Sequence, residues 1–256
     1  MTTGFKINQA EDNAANYSIN TKLTSGTYSI STAEELAKLT TMTNNYKICS
    51  NCEFVLADDI DLSAYSTGEG WTPIGTPSKS FRATFDGNGH VVSNLYIYRP
   101  NDNNQGLFGC AWYADIKNVG LENADVTGGE SKVGGLMGAG VSDIIITNCY
   151  VIGSVTGGMY VGGLAGEGVN GRVTNRYATG SVTGNSDVGG LIGYIKGGGV
   201  LDNAYYTDTT SQTNGIGYGA PMSGTAQLVT MDVLHELISQ GILPDYKSKT
   251  GINSSS

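Results

Sequence analysis

Short apolar runs recur along this chain at a nearly constant interval. The clearest begin at Gly106-Leu107-Phe108-Gly109, Gly135-Leu136-Met137-Gly138, Gly163-Leu164-Ala165-Gly166 and Gly190-Leu191-Ile192-Gly193, with first glycines 29, 28 and 27 residues apart. Val133-Gly134, Val161-Gly162 and Val188-Gly189 lead into the last three. An aliphatic-x-Asn element follows each tetrad, ending at Asn118, Asn148, Asn175 and Asn203, and an earlier copy ends at Asn94. A third element alternates polar and apolar residues: Asp125-Val126-Thr127-Gly128, Ser154-Val155-Thr156-Gly157 and Ser181-Val182-Thr183-Gly184. Each period therefore holds three strand-length runs separated by Gly or Asn turns, the signature of short strands rather than helices.

A unit of this size cannot bury its apolar face alone, so the units must stack. The pattern predicts an all-β fold, a β-solenoid (β-helix) with coils of about 28 residues and one core column of Leu107, Leu136, Leu164 and Leu191. The flanking glycines are expected to provide positive φ and close backbone approach at the corners. The Asn column is expected to ladder its amides from coil to coil. Less regular runs at Phe54-Val55-Leu56, Ile60-Asp61-Leu62 and Phe81-Arg82-Ala83-Thr84-Phe85 extend the stack upstream and place the solenoid at 53–210. Exposed strand edges at its ends need covering. Ser31-Thr32-Ala33-Glu34-Glu35 opens a capped helix within an N-terminal cap at 26–52. Met231, Leu234, Leu237 and Ile238 fall at helical spacing in a C-terminal cap and tail at 211–256, with Gly241 as the stop.

Composition fits this picture and narrows the function. Among 256 residues there are 38 Gly and only 5 Pro, which argues for frequent tight turns and against collagen or a linker. Charged residues make up 14%, the net charge is −9 and the pI is near 4.6, with no clustered Lys or Arg. A nucleic-acid partner is therefore not expected. No stretch reaches the roughly 18 apolar residues of a membrane span. The start, Met1 to Asn8, lacks the apolar core of a secretory signal, which leaves a removed signal, another export route or an internal location.

Candidate chemistry is sparse. Cys49 and Cys52 form a lone C-x-x-C without zinc-ligand partners, so a small loop disulfide or two free thiols are the readings; Cys110 and Cys149 stand apart. Asp58-Asp59-Ile60-Asp61 is the best calcium candidate but lacks the rest of a calcium loop. His90 and His235 have no accompanying nucleophile motif. Across the aligned coils, Asp125 faces Ser154 and Ser181, and Asp202 faces Lys117, Thr147 and Thr174, so no column pairs two carboxylates for acid–base work. The tetrads lack the Gly-Lys-[ST] of a phosphate loop. Thr127, Thr156 and Thr183 form a column that suits coil stacking better than ice binding. No catalytic residue, metal or cofactor is expected.

The tetrads and their Val-Gly lead-ins, over about 104–206, resemble the GLUG repeat family, and Trp71-Thr72-Pro73-Ile74-Gly75 and Phe85-Asp86-Gly87-Asn88-Gly89-His90 resemble the segment that leads into such repeats. That resemblance implies a module of a large bacterial surface protein. A second resemblance lies at 1–23. Gly4, Ile7, Asn8, Ala10, Asp12, Ala14 and Ala15 are similar to the flagellin signature S-[ST]-G-x-[KR]-I-N-x-A-x-D-[DN]-A-A, which implies a filament-packing helix. The expectation is a non-enzymatic extracellular module of a bacterial cell surface or flagellum. Its expected partners are a surface glycan or protein of host or bacterium, and flagellin-type filament subunits. The alternative is a polysaccharide-degrading β-helix enzyme.

Overall fold

The computed structural model describes residues 25–245 apart from positions 47, 170, 220 and 222. The flagellin-like segment at 1–23 lies outside the described residues. The chain opens with strand β1 (Gly26–Ile30) and helix α1 (Ala33–Asn45). The helix begins in a reciprocal cap: Thr32 Oγ1 accepts from the Glu35 amide at 3.2 Å, and Glu35 Oε2 accepts from the Ser31 amide at 2.7 Å. Its apolar face buries Leu36 and Leu39 in the core. Asn44 ties it to the next coil, donating to the Pro73 carbonyl at 3.0 Å and accepting from the Gly75 amide at 2.7 Å.

The coils follow in order. Strands β2 (Cys52–Leu56) and β3 (Ile60–Asp61) precede β4 (Thr84–Ser93), β5 (Tyr96–Tyr98) and β6 (Phe108–Ala111). The regular turns hold β7 (Asp115–Thr127), β8 (Ser131–Gly134), β9 (Met137–Gly140), β10 (Ile145–Thr156), β11 (Met159–Gly162) and β12 (Ala165–Val169). They continue with β13 (Arg172–Thr179), β14 (Val182–Thr183), β15 (Ser186–Gly189) and β16 (Ile192–Lys196). β17 (Val200–Thr207), β18 (Ile216–Tyr218), β19 (Ala226–Val229) and helix α2 (Met231–Ser239) complete the described chain.

These strands form a β-solenoid with three walls and a short helix towards each end. The long wall runs β1-β2-β4-β7-β10-β13-β17-β19, the second β8-β11-β15 and the third β6-β9-β12-β16-β18. Neighbouring coils pair in parallel, as in β7 with β10 and β10 with β13. One continuous core runs from Ile30 to Tyr206. Within it Leu107, Leu136, Leu164 and Leu191 are each 0% exposed. Parallel pairing reaches from Gly26 to Val229, beyond the expected 53–210, because the outermost strands pair their backbones without carrying the repeat pattern.

The tetrad glycines differ from expectation in one respect. None of Gly106, Gly109, Gly135, Gly138, Gly163, Gly166, Gly190 and Gly193 has positive φ. They are there for space. A Cβ on Gly138 would lie 2.4 Å from the Asn104 carbonyl carbon, and one on Gly166 would lie 2.4 Å from the Val133 nitrogen. The third wall thus rests directly on the backbone of the second. Other glycines take positive φ, and among non-glycine residues the left-handed corners fall mainly to Asn.

The two helices differ in what they cover. Helix α1 packs into the main core. Helix α2 lies on the outer face of the long wall, where Leu234 and Leu243 cover a ladder of Tyr150, Tyr177 and Tyr205. The first two rings stack 4.9 Å apart at 1°. Tyr150 donates to Glu122 Oε1 at 2.7 Å, and burial together with that bond raises its pKa.

Candidate interaction surfaces

Columns of left-handed residues mark corners of the solenoid, and three of them differ in chemistry. In the first, Asn118, Asn148, Asn175 and Asn203 have φ of 55, 53, 52 and 49°. Asn tolerates this region because its short side chain bonds locally. Here it bonds its neighbours instead: Asn118 Nδ2 donates to Asp86 Oδ1 at 3.0 Å, Asn148 to Asn118 at 2.9 Å, Asn175 to Asn148 at 3.0 Å and Asn203 to Asn175 at 2.9 Å. These amides are occupied by one another, so the column serves the fold.

The second column holds Asn104, Lys132, Tyr160 and Asp187 at φ of 60, 65, 55 and 53°. Their alignment follows from the flanking pairs Ser131 with Met159 and Ser186, and Gln105 with Val133, Val161 and Val188 in turn. A non-glycine residue in this region costs about 1–2 kcal/mol, and a bulky aromatic has none of the compensation open to Asn. Tyr160 stacks on Tyr194 at 4.7 Å and 23°, and Tyr194 meets Tyr218 at 5.6 Å and 40°. Tyr194 and Tyr218 share a column of the third wall with Glu167. Lys132 Nζ lies 2.7 Å from Glu167 Oε2. The result is an aromatic strip along the seam where two walls touch through glycines, ending at Tyr218, which is 60% exposed.

The third column carries Tyr113 and Asp143 at φ of 51 and 42°. Tyr113 is exposed and stacks on Trp112 at 5.9 Å. The Trp112 ring also takes the Arg82 guanidinium at 4.3 Å.

A carboxylate cluster also forms on the outer face of the long wall. Lys117 Nζ lies 3.4 Å from Glu53 Oε1 and 3.4 Å from Asp86 Oδ2. Asp115 stands beside Thr84 in the strand register, and Thr84 beside Glu53. Burial pushes the Asp115 carboxyl up, and Asp86 and Glu53 add to the effect against the pull of Lys117. Burial opposes the Lys117 charge, but Asp86 and Glu53 raise its pKa overall. Aligning only the tetrad-bearing coils misses this group, because Glu53 and Asp86 belong to coils without a tetrad. The signal available in sequence was Phe54 and Phe85, which align with Ile116 and bring their neighbours with them.

Other candidates are placed plainly. Cys49 and Cys52 form a disulfide, whereas Cys110 and Cys149 are buried free thiols, and burial pushes Cys149 up to about 12. Asp59 Oδ1 accepts from the Val91 amide at 3.0 Å and lies 3.2 Å from buried His90 Nδ1. Asp61 accepts from the Ser63 amide and from Asn94. His235 is exposed on α2. Thr127, Thr156 and Thr183 align from coil to coil, beside a Ser181-to-Ser154 hydroxyl bond of 2.9 Å.

Comparison with known proteins agrees with the repeat architecture. Residues 157–183 match the GLUG motif. Over 132 residues, 48% of this chain, the sequence is 39% identical to Halomucin of Haloquadratum walsbyi. Over 90 residues, 33% of the chain, it is 37% identical to a protein of Evansella cellulosilytica provisionally named a Gly-rich membrane protein. These matches span 1% and 10% of the relatives' own lengths. Among solved structures, a protein of Bacteroides ovatus provisionally named an immunoglobulin A1 protease aligns with a TM-score of 0.51 and 18% identity. That alignment covers 85% of this chain and 88% of the other, and it shows the fold alone.

Proposed function

We propose, starting from a β-solenoid that carries the GLUG motif, that this chain is a non-catalytic module of an extracellular surface protein. It acts as a stiff spacer whose walls display a neutral-polar and aromatic face for adhesion or shielding. The observation that carries this reading is the continuous core from Ile30 to Tyr206. Coils tied at every level by parallel backbone pairing and an Asn ladder bend little, and stiffness is what a spacer needs. The names of the relatives, a halomucin and a Gly-rich membrane protein, point to the same setting. The low charge density fits a surface that contacts neutral partners.

Protease shaving of intact cells tests the location: release of peptides from this chain supports the reading, and full protection sinks it. The finer attachment to a flagellum rests on the motif at 1–23. Deleting those residues should abolish co-sedimentation with filaments while leaving the melting temperature unchanged.

A carbohydrate-active enzyme is the second reading, and one feature favours it, the group of Glu53, Asp86 and Asp115 around Lys117. Incubation with mixed polysaccharides decides between the two. Turnover that disappears in Asp115→Asn would replace the first reading with the second.

A further inference from the structure

We infer that the seam of Tyr160, Tyr194 and Tyr218 is a binding strip for a neutral polysaccharide chain. This rests on the surface-module reading above and names its ligand class and its site. The first argument is the backbone. Asn104 occupies the same column as Tyr160 at φ 60°, so this corner accepts the residue that the neighbouring left-handed column uses throughout. The fold does not ask for Tyr at φ 55°. Strain of this kind persists where surrounding contacts hold it and gathers at ligand-binding positions. What the strain yields here is the position of a ring, brought from the second wall onto Tyr194 of the third.

The second argument is shape. The three rings come from three successive coils, with centroids 4.7 and 5.6 Å apart, and the row opens to solvent at Tyr218. A row along the coil axis fits an elongated polymer rather than a compact ligand. Because the rings stack on one another, much of their faces is taken up within the row; Tyr218, 60% exposed, is the ring left to pack on the C–H face of a sugar, with tyrosine hydroxyls as polar partners.

The third argument is charge. Of the two cations beside the strip, Lys132 is bridged at 2.7 Å to Glu167, and Lys196 is exposed two residues along β16 from Tyr194. Asp187, in the Tyr160 column, adds a negative charge, and the whole chain carries −9. With Lys132 and Lys196 balanced by Glu167 and Asp187, an anionic polymer gains no local attraction and is repelled by the chain as a whole. A neutral one is not.

Native affinity electrophoresis tests this on the full chain. Gels are cast with hydroxyethyl cellulose, dextran or galactomannan, with polygalacturonate as the anionic control. The expected result is retardation in at least one neutral gel and none in polygalacturonate. Tyr160→Asn and Tyr218→Ala should each weaken the apparent Kd tenfold or more. Because Asn suits the left-handed corner, Tyr160→Asn should melt no lower than the wild type. No retardation in any neutral gel overturns the strip, as does retardation confined to polygalacturonate or retardation of both variants equal to that of the wild type. A Tyr160→Asn protein that melts several degrees lower also overturns it, because the ring is then a fold residue. Absent retardation leaves the surface-module reading standing, since cell shaving and turnover test that separately. Retardation accompanied by turnover keeps the strip and removes the non-catalytic reading.

Discussion

Arg176 sits directly on Cys149 inside the solenoid, one coil further along the same interior column, with Ala204 next in line. Arg176 and Cys149 are each 0% exposed. The guanidinium has one bond, from Nη1 to the Ile146 carbonyl at 3.4 Å, and its Nε and Nη2 have no partner among the described residues. Burial pulls its pKa well below the ordinary arginine value. A cation in this setting loses its hydration without regaining an equivalent partner. Its long stem, by contrast, packs as an apolar side chain would.

Replacing Arg176 with Met should therefore stabilise the fold, by about 1–4 kcal/mol if buried-charge replacements elsewhere are a guide. A urea midpoint that rises at constant slope is the expected outcome. A lower midpoint would mean that the guanidinium is compensated by something bound in the core, and the column would need a different account.

The Asn ladder separates two roles that usually travel together. Asn148 supplies a left-handed corner at φ 53°, accepts from Asn175 and donates to Asn118. Asn148→Ala loses both the bonds and the tolerance for positive φ, whereas Asn148→Gly loses only the bonds. The glycine variant should cost about 2 kcal/mol and the alanine variant about 3–4 kcal/mol, taking roughly 1 kcal/mol for each bond and 1–2 for the corner. Chemical denaturation of the two variants measures the difference directly. Equal losses would mean that the corner itself costs Ala nothing.

Much of this architecture was legible because the apolar positions recur in register. Leu107, Leu136, Leu164 and Leu191 stand one coil apart in sequence, and a shared core follows from stacking alone. The Asn column was legible for the same reason. Tyr160 was not. Nothing in Met159-Tyr160-Val161 distinguishes a left-handed ring from an ordinary strand residue, and its partner Tyr194 comes from a different wall. The carboxylates around Lys117 stayed hidden because the coils that bring Glu53 and Asp86 carry no tetrad to align. The lateral seat of α2 depends on Tyr150, Tyr177 and Tyr205, which in sequence look like surface residues beside the Asn corner.

Asp115 should make stability depend on acidity in an uncommon direction. Its folded pKa lies above the 3.8 of an ordinary aspartate, first because of burial. Between those two values the folded state binds more protons than the unfolded one, so stability falls as pH rises through that window. Above it the buried carboxylate is a standing cost. Asp115→Asn should accordingly raise the melting temperature at pH 7, and the advantage should vanish below pH 3.8. Calorimetry of both proteins across that range checks the sign. An advantage that grows on acidification would mean that Lys117 dominates after all.

Two glycines of the same strand, β12, should answer substitution in opposite ways. A Cβ on Gly166 would lie 2.4 Å from the Val133 nitrogen and 2.5 Å from the Lys132 carbonyl carbon, both backbone atoms of the preceding coil. Neither atom can withdraw without separating the second and third walls. Gly168 has room. A Cβ there meets only Ile192 Cγ2, at 3.9 Å, and points towards an apolar cavity of about 20 Å³ lined by Met137, Ile144, Val173 and Leu201 among others. Gly168 does not have positive φ, so alanine fits its backbone without strain. Alanine also has less conformational freedom to lose on folding, an advantage of about 0.4–1 kcal/mol. Its methyl fills space that is otherwise empty, which adds to the gain. Gly166→Ala should cost several kcal/mol or prevent folding, since overpacking against fixed backbone exceeds the usual ~1–3 kcal/mol of a side-chain clash. Thermal denaturation of the pair, two residues apart on one strand, should therefore give a lower melting temperature for the first and an equal or higher one for the second. If Gly168→Ala is the more damaging, the cavity is not where the core has room, and the tight seam at Gly166 is not what keeps alanine out of the repeat.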